Sequence, residues 1–141
     1  MYCRVDLTKT KYKEIQYEVL DESYFDEINE IYKNYCKYKG FDSAMPLFIE
    51  DIQQTNTEIL GYRNDDKLIA FSLILLYPSK QSVTADQFAW DWKDPGLKLG
   101  YKSIRSECAR YKRLGYNYFY LGDYYDYKAE LAGFEISKPF K

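Results

Sequence analysis

The stretch Asp94–Ser103, DPGLKLGYKS, joins a segment that reads as a strand to one that reads as a helix, and the fold turns on that junction. Upstream, Ser82–Trp92 (SVTADQFAWDW) has strand composition. Downstream, Leu99, Ile104, Cys108, Tyr111 and Leu114 fall on or near one helical face, and Gly115 stops the run. A helix start presents unpaired N–H groups and the positive end of the peptide dipoles, so Leu97–Ser103 is a candidate anion seat. Gly100 would let a ligand approach the backbone closely. A glycine before a helix also serves as a plain turn device, and this stretch alone leaves both readings open.

Working outward, Ile15–Leu20 (IQYEVL) alternates as a strand does. Asp21 then caps a helix whose apolar positions Phe25, Ile28, Ile31, Tyr32 and Tyr35 follow the 3.6-residue period up to Gly40. Pro46 suits the first turn of a shorter helix with Leu47, Phe48, Ile49 and Ile52 on its apolar side. TEILGYR, the turn residues Asn64-Asp65-Asp66, KLIAFSLILLY and SVTADQFAWDW predict three consecutive antiparallel strands. The middle one, Leu68–Leu76, is almost continuously apolar and is expected at the centre, covered on both faces. After the long late helix come a strand at Tyr116–Leu121, a helical segment around Tyr125–Ala132 and a last strand at Gly133–Ile136. The order β-α-α-β-β-β-α-β-α-β predicts an α/β (α+β) domain: a mixed, mostly antiparallel sheet of six to seven strands with about four helices. At 141 residues the chain is read as a single domain, 1–141.

Composition narrows the chemistry. There is no histidine, so imidazole catalysis and histidine-ligated metal sites are excluded, and no metal site is expected. Any proton transfer must use Asp, Glu, Tyr, Lys, Cys, backbone or water. The 17 tyrosines supply apolar rings with polar tips suited to wet clefts and stacking surfaces; codon bias would raise them equally. Cys3, Cys36 and Cys108 are odd in number and far apart, which argues against a disulfide framework and for free thiols in a reducing cytoplasm. No apolar run approaches bilayer length and the first residues have no secretory pattern, so no membrane association is expected.

These elements and their residues resemble the GNAT superfamily of N-acyltransferases from about Ile15 onward. That resemblance implies two strands, Ser82–Trp92 and Tyr116–Leu121, whose ends splay apart to hold an acyl donor. Of the pyrophosphate loop found in acetyl-CoA-binding members, the positions Leu97, Gly100 and Lys102 keep only the middle glycine. Ala129 stands where those members tend to place a tyrosine. The segments WKDPGLKLGYKSI, YFYLGDYY and YKAELAGFEI are more similar to the C-terminal part of arginyl-tRNA and leucyl-tRNA protein transferases. Trp92, Asp94, Pro95, Leu99 and Gly100 match one motif; Tyr120, Leu121 and Gly122 match the next; Tyr127 and Lys128 match the last. Ala132-Gly133 replaces the family's Arg-Pro, and its cysteine-bearing region is missing, so a minimal or diverged relative is expected.

The resemblance implies an acyl or aminoacyl transferase acting on a primary amine of a protein or small molecule. The donor would be aminoacyl-tRNA or, alternatively, acetyl-CoA, with no permanently bound cofactor; a binding module that lost its donor is the third reading. The donor would rest on Leu99, Gly100, Tyr101, Lys102 and Ser103, with Lys128 steadying a phosphate or carbonyl. Asp123, Tyr125 and Tyr127 are the candidates for proton transfer, Asp123 reading equally as a helix cap. Trp90 and Trp92 share a face by strand alternation and read as core or as a cleft wall. Lys93, Lys98, Lys102, Arg105, Arg110, Lys112 and Arg113 outnumber Asp94 and Glu107, an excess that suits a tRNA partner and equally a solvated helix face.

Overall fold

The computed structural model describes residues 1–40, 47, 49–90 and 98–140. The strands are β1 (Tyr2–Asp6), β2 (Glu18–Leu20), β3 (Thr57–Asn64), β4 (Lys67–Tyr77), β5 (Ser82–Trp90), β6 (Tyr118–Asp123) and β7 (Phe134–Ser137). The helices are α1 (Phe25–Lys39), α2 (Ile49–Ile52) and α3 (Leu99–Arg113). One seven-stranded sheet has the order β2-β3-β4-β5-β6-β1-β7. The chain clusters into two compact units, Met1–Ile15 with Leu75–Asp86 and Tyr101–Lys141, and Gln16–Ile74 with Gln87–Gly100.

In the second of these units Asp21 caps as its sequence suggests. Its carboxylate accepts from Ser23 N at 2.9 Å and starts a 3-10 turn, Glu22–Tyr24, that leads into α1. Gly40 ends α1 in the left-handed conformation (φ 73), its N–H donating to the Cys36 and Lys37 carbonyls. The buried stripe Ile28, Ile31 and Tyr32 of α1 joins Leu20, Ile52, Ile59, Leu68, Phe71, Leu73 and Ala89 in one apolar cluster. Full burial of each aliphatic side chain contributes about 1.5–3 kcal/mol. Within β4, Leu68–Ile74 is buried without interruption, as its apolar run predicts.

The other unit holds the element that sequence reading missed. β1 lies between β6 and β7, antiparallel to both, and its Cys3 and Val5 are fully buried. With Leu7, Phe119, Leu121, Cys108 and Tyr111 they form that unit's core. Tyr111 of α3 meets Phe119 edge-on at 5.8 Å, so this is the sheet face on which α3 lies. Burial, with neighbouring Glu107 adding to it, pushes the Cys108 thiol up to about 12.

Three expected boundaries move for physical reasons. Ile15 does not join β2, because its N–H donates to the Ser106 hydroxyl of α3 at 2.9 Å. The helical segment expected at Tyr125–Ala132 is a 3-10 turn, Asp126–Glu130, too short between β6 and Gly133 to support the nucleation of an α-helix. The strand expected at Tyr116–Leu121 starts at Tyr118, since Asn117 N donates instead to the Gln81 carbonyl at 2.8 Å. Pro46, Phe48 and the stretch Asp91–Leu97, Trp92 included, lie outside the described residues.

Candidate active site

The parallel ladder between β5 and β6 consists of Ser82↔Tyr118, Val83↔Phe119 and Thr84↔Tyr120. β5 runs on through Ala85 and Asp86, and β6 through Leu121–Asp123, past the last of these pairs. Among the described residues the pairing of β5 with β6 thus ends at Thr84↔Tyr120, the region where the resemblance expects the two strands to splay. β6 is held on its other side by β1, where the register shifts between Cys3 and Arg4.

At the end of β6 the chain bends back on itself. Gly122 adopts a φ of 75, which lets the strand turn, and Tyr124 N donates to the Met1 carbonyl at 2.8 Å. The 3-10 turn then returns Lys128 beneath β6, where its side chain is buried. Its ammonium donates to the carbonyls of Leu121 and Asp123, both at 2.8 Å. Burial holds this ammonium below the usual lysine range, while the charges of Cys3 and Asp123 pull it back up. Cys3 Sγ lies 3.6 Å from the Gly122 carbonyl; burial raises its thiol above the ordinary value, Lys128 opposing and Asp123 reinforcing the shift. Asp123 is exposed. Tyr125 and Tyr127 are exposed as well, with rings stacked at 6.2 Å and 17°. The Lys128 Nζ sits 4.9 Å from the Tyr125 ring centroid and 5.9 Å from that of Tyr127. A hydrogen bond from Tyr124 to Asp126 keeps the Tyr124 phenol protonated to higher pH than usual.

The structure thus brings Asp123, Tyr125, Tyr127 and Lys128 together around one strand end. Tyr101, Lys102 and Ser103 belong to the same unit, on the first turn of α3; Leu99, Gly100 and Trp90 belong to the other unit. Gly100 is exposed, and a Cβ built on it would meet only Phe88, at 4.0 Å, among the described residues. Tyr101 is exposed beneath the Arg105 guanidinium, 3.4 Å above its ring centroid, while Ser103 is buried. Trp90 is half-buried.

Three cations of α3 contact the segment that follows β1. Arg113 forms a two-bond pair with Glu14, at 2.8 and 2.9 Å, Lys112 Nζ donates to the Thr10 carbonyl, and Arg105 lies 5.6 Å from the Tyr12 ring centroid. Glu14 offsets one charge of the basic excess. Cys3 was invisible to sequence reasoning as a site neighbour; the alternation Cys3, Val5, Leu7 is the signal that would have placed it on a strand.

Comparison with known proteins shows the family and the fold. The sequence profile of the family "Arginine-tRNA-protein transferase, C terminus" matches residues 9–133. No curated protein matches the chain. Among solved structures, a domain assigned as the C-terminal part of a lysylphosphatidylglycerol synthetase from Agrobacterium fabrum superposes with a TM-score of 0.69 at 18% identity. That match covers 86% of this chain and 45% of that one. The ribosomal-protein-S18-alanine N-acetyltransferase from Escherichia coli gives 0.62 at 14% identity, covering 75% of this chain and 64% of that one. A protein assigned to the GNAT family of acetyltransferases from Novosphingobium aromaticivorans gives 0.66 at 15% identity, covering 97% and 59%. The chain therefore spans about half to two thirds of the length of these structures, and the fold they share with it is the GNAT fold.

Proposed function

Because the chain belongs to the family of arginine-tRNA-protein transferase C-terminal domains, we propose that it moves an aminoacyl group from tRNA to a primary amine. The observation that carries this reading is the end of the β5–β6 ladder at Thr84↔Tyr120, with Asp123 and Lys128 at the end of β6 beyond it. The donor's terminal phosphates would rest against the first-turn amides of α3 and Lys102, where N–H groups and dipole favour an anion. Gly100 adds no side chain to obstruct that approach.

An ammonium has three N–H donors; the Leu121 and Asp123 carbonyls take two from Lys128. The third, with backbone N–H groups at the parted strands, would stabilise the ester oxygen as it becomes an oxyanion. The amine nitrogen attacks the ester carbonyl carbon, the C–O bond to the terminal ribose breaks, and the ribose hydroxyl leaves. Asp123, exposed beside the attack site, would take the proton the amine loses and return it through water to the departing ribose oxygen. The stacked Tyr125 and Tyr127 would form the wall against which the acyl side chain or the acceptor lies. Free thiols and a tRNA donor support a cytoplasmic location. Among the described residues no helix is long and apolar enough to cross a membrane.

Ligand-dependent melting tests the reading. An aminoacyl-tRNA analogue with a non-hydrolysable amide in place of the ester, at about tenfold its Kd, should raise the melting temperature by about 5 °C. A rise with acetyl-CoA alone would replace this donor by a thioester, and no rise with either would leave a binding module.

A further inference from the structure

Against β1, strand β6 carries one residue too many. Cys3 pairs with Gly122 and Arg4 with Tyr120, so Leu121 is left over between them. Such a bulge bends its strand and adds to its twist. It begins one residue after Tyr120, where the pairing with β5 ends among the described residues, so β6 bends where the transfer reading needs its end to be open. Gly122, at a φ of 75, carries the chain through the bend. β1, β6, the 3-10 turn with Lys128 and the ladder residues of β5 all belong to one unit.

Two buried side chains hold this bent end by its carbonyls. Lys128, from the 3-10 turn, donates to the Leu121 and Asp123 oxygens, both at 2.8 Å. Cys3, from β1, brings its thiol to 3.6 Å from the Gly122 oxygen and 3.8 Å from that of Asp123. Three successive carbonyls are thus held from two directions, and the Asp123 oxygen is shared. Cys3 is fully buried, which closes its sulfur to substrate, so it can serve the site only through the backbone it touches. Burial keeps the thiol protonated to higher pH than usual, Lys128 opposing and Asp123 reinforcing the shift, and a protonated thiol is a donor.

Resting on the aminoacyl-transfer reading, we propose that Cys3 is a positioning residue of the transfer site. Its thiol fixes the bulged end of β6, and thereby the directions of the Asp123 carboxylate and of the third N–H of Lys128. Asp123 is exposed, so the course of its backbone decides where its carboxylate stands. A misplacement of about 1 Å can cost about 10²-fold in rate, so a weak S–H contact here has more leverage on the reaction than on the fold. Valine at position 3 would fill a similar volume and suit the strand but carries no donor, whereas serine would keep one. The two substitutions separate positioning from packing.

Single-turnover transfer from aminoacyl-tRNA to a primary amine, over a range of tRNA concentrations, tests the role together with amide hydrogen exchange of residues 122–124. Cys3→Val is expected to lower the maximal rate about tenfold and to leave the half-saturating tRNA concentration within about twofold. Its amides at 122–124 should exchange faster than those of the wild type, and Cys3→Ser should recover most of the rate and of the protection. Should Cys3→Val fail to fold by circular dichroism, Cys3→Ala takes its place. The role is overturned if Cys3→Val transfers as fast as the wild type, if Cys3→Ser is no faster than Cys3→Val, or if the whole loss lies in tRNA affinity. Each of those results leaves the aminoacyl reading standing; a wild-type protein that transfers nothing overturns that reading, and this role with it.

Discussion

Lys128 shows how one side chain changes meaning between sequence and structure. In YKAEL it reads as a solvated lysine or a donor contact; in the fold it is buried and bonded to the Leu121 and Asp123 carbonyls. Nothing local in the sequence signals this, because the burial depends on β1, at the other end of the chain, as well as on the neighbouring β6. Lys128→Met would leave both carbonyls without this donor and should lower stability by about 1–3 kcal/mol in urea titrations. The lysine's native value is depressed from the usual 10.5, so between the two values the unfolded chain binds the extra proton. Its contribution is therefore complete above 10.5 and declines as pH falls through the lower native value. The stability deficit of Lys128→Met should accordingly be larger at high pH, and a deficit independent of pH would contradict the burial argument. Asp123, Tyr125 and Tyr127 were legible as neighbours of Lys128 simply because they lie close in sequence, at a strand end.

At the scale of elements, α1, β4 and α3 were readable because each carries a long, regular apolar pattern. β1 was not: in MYCRVDLTK the alternating Cys3, Val5 and Leu7 are few and lie among polar residues. Its insertion between β6 and β7 is a long-range pairing that local pattern cannot reveal. The close approach at Gly133 makes that pairing testable. Gly133 has a φ of 73, Asp6 N donates to its carbonyl, and a Cβ there would collide with the Asp6 carbonyl oxygen. Gly133→Ala should cost more than the about 1–2 kcal/mol of the left-handed conformation alone, with the loss measured in urea. At the start of α3 the opposite holds. Gly100→Ala has room and should be neutral or stabilising by up to about 1 kcal/mol. Weakened binding of the aminoacyl-tRNA analogue without any loss of stability would mark a backbone that the donor approaches closely.

For the whole molecule, the GNAT architecture followed from the order of elements and a handful of short motifs, and both the fold and the family stand. The sheet has seven strands, reached by an N-terminal strand that the sequence did not disclose. The tie of Arg113 to Glu14 was likewise hidden, since 99 residues separate the partners. Chemistry depends on those long-range arrangements, which is why the sequence could offer candidate residues but not their burial or their partners. The most direct measurement is single-turnover transfer of a radiolabelled amino acid from aminoacyl-tRNA to a primary amine, by wild type and by Asp123→Asn. The account predicts label on the amine, with the rate reduced about 10²–10⁴-fold in the variant. Label that stays on the tRNA with the wild-type protein, or equal rates for the two, would contradict it.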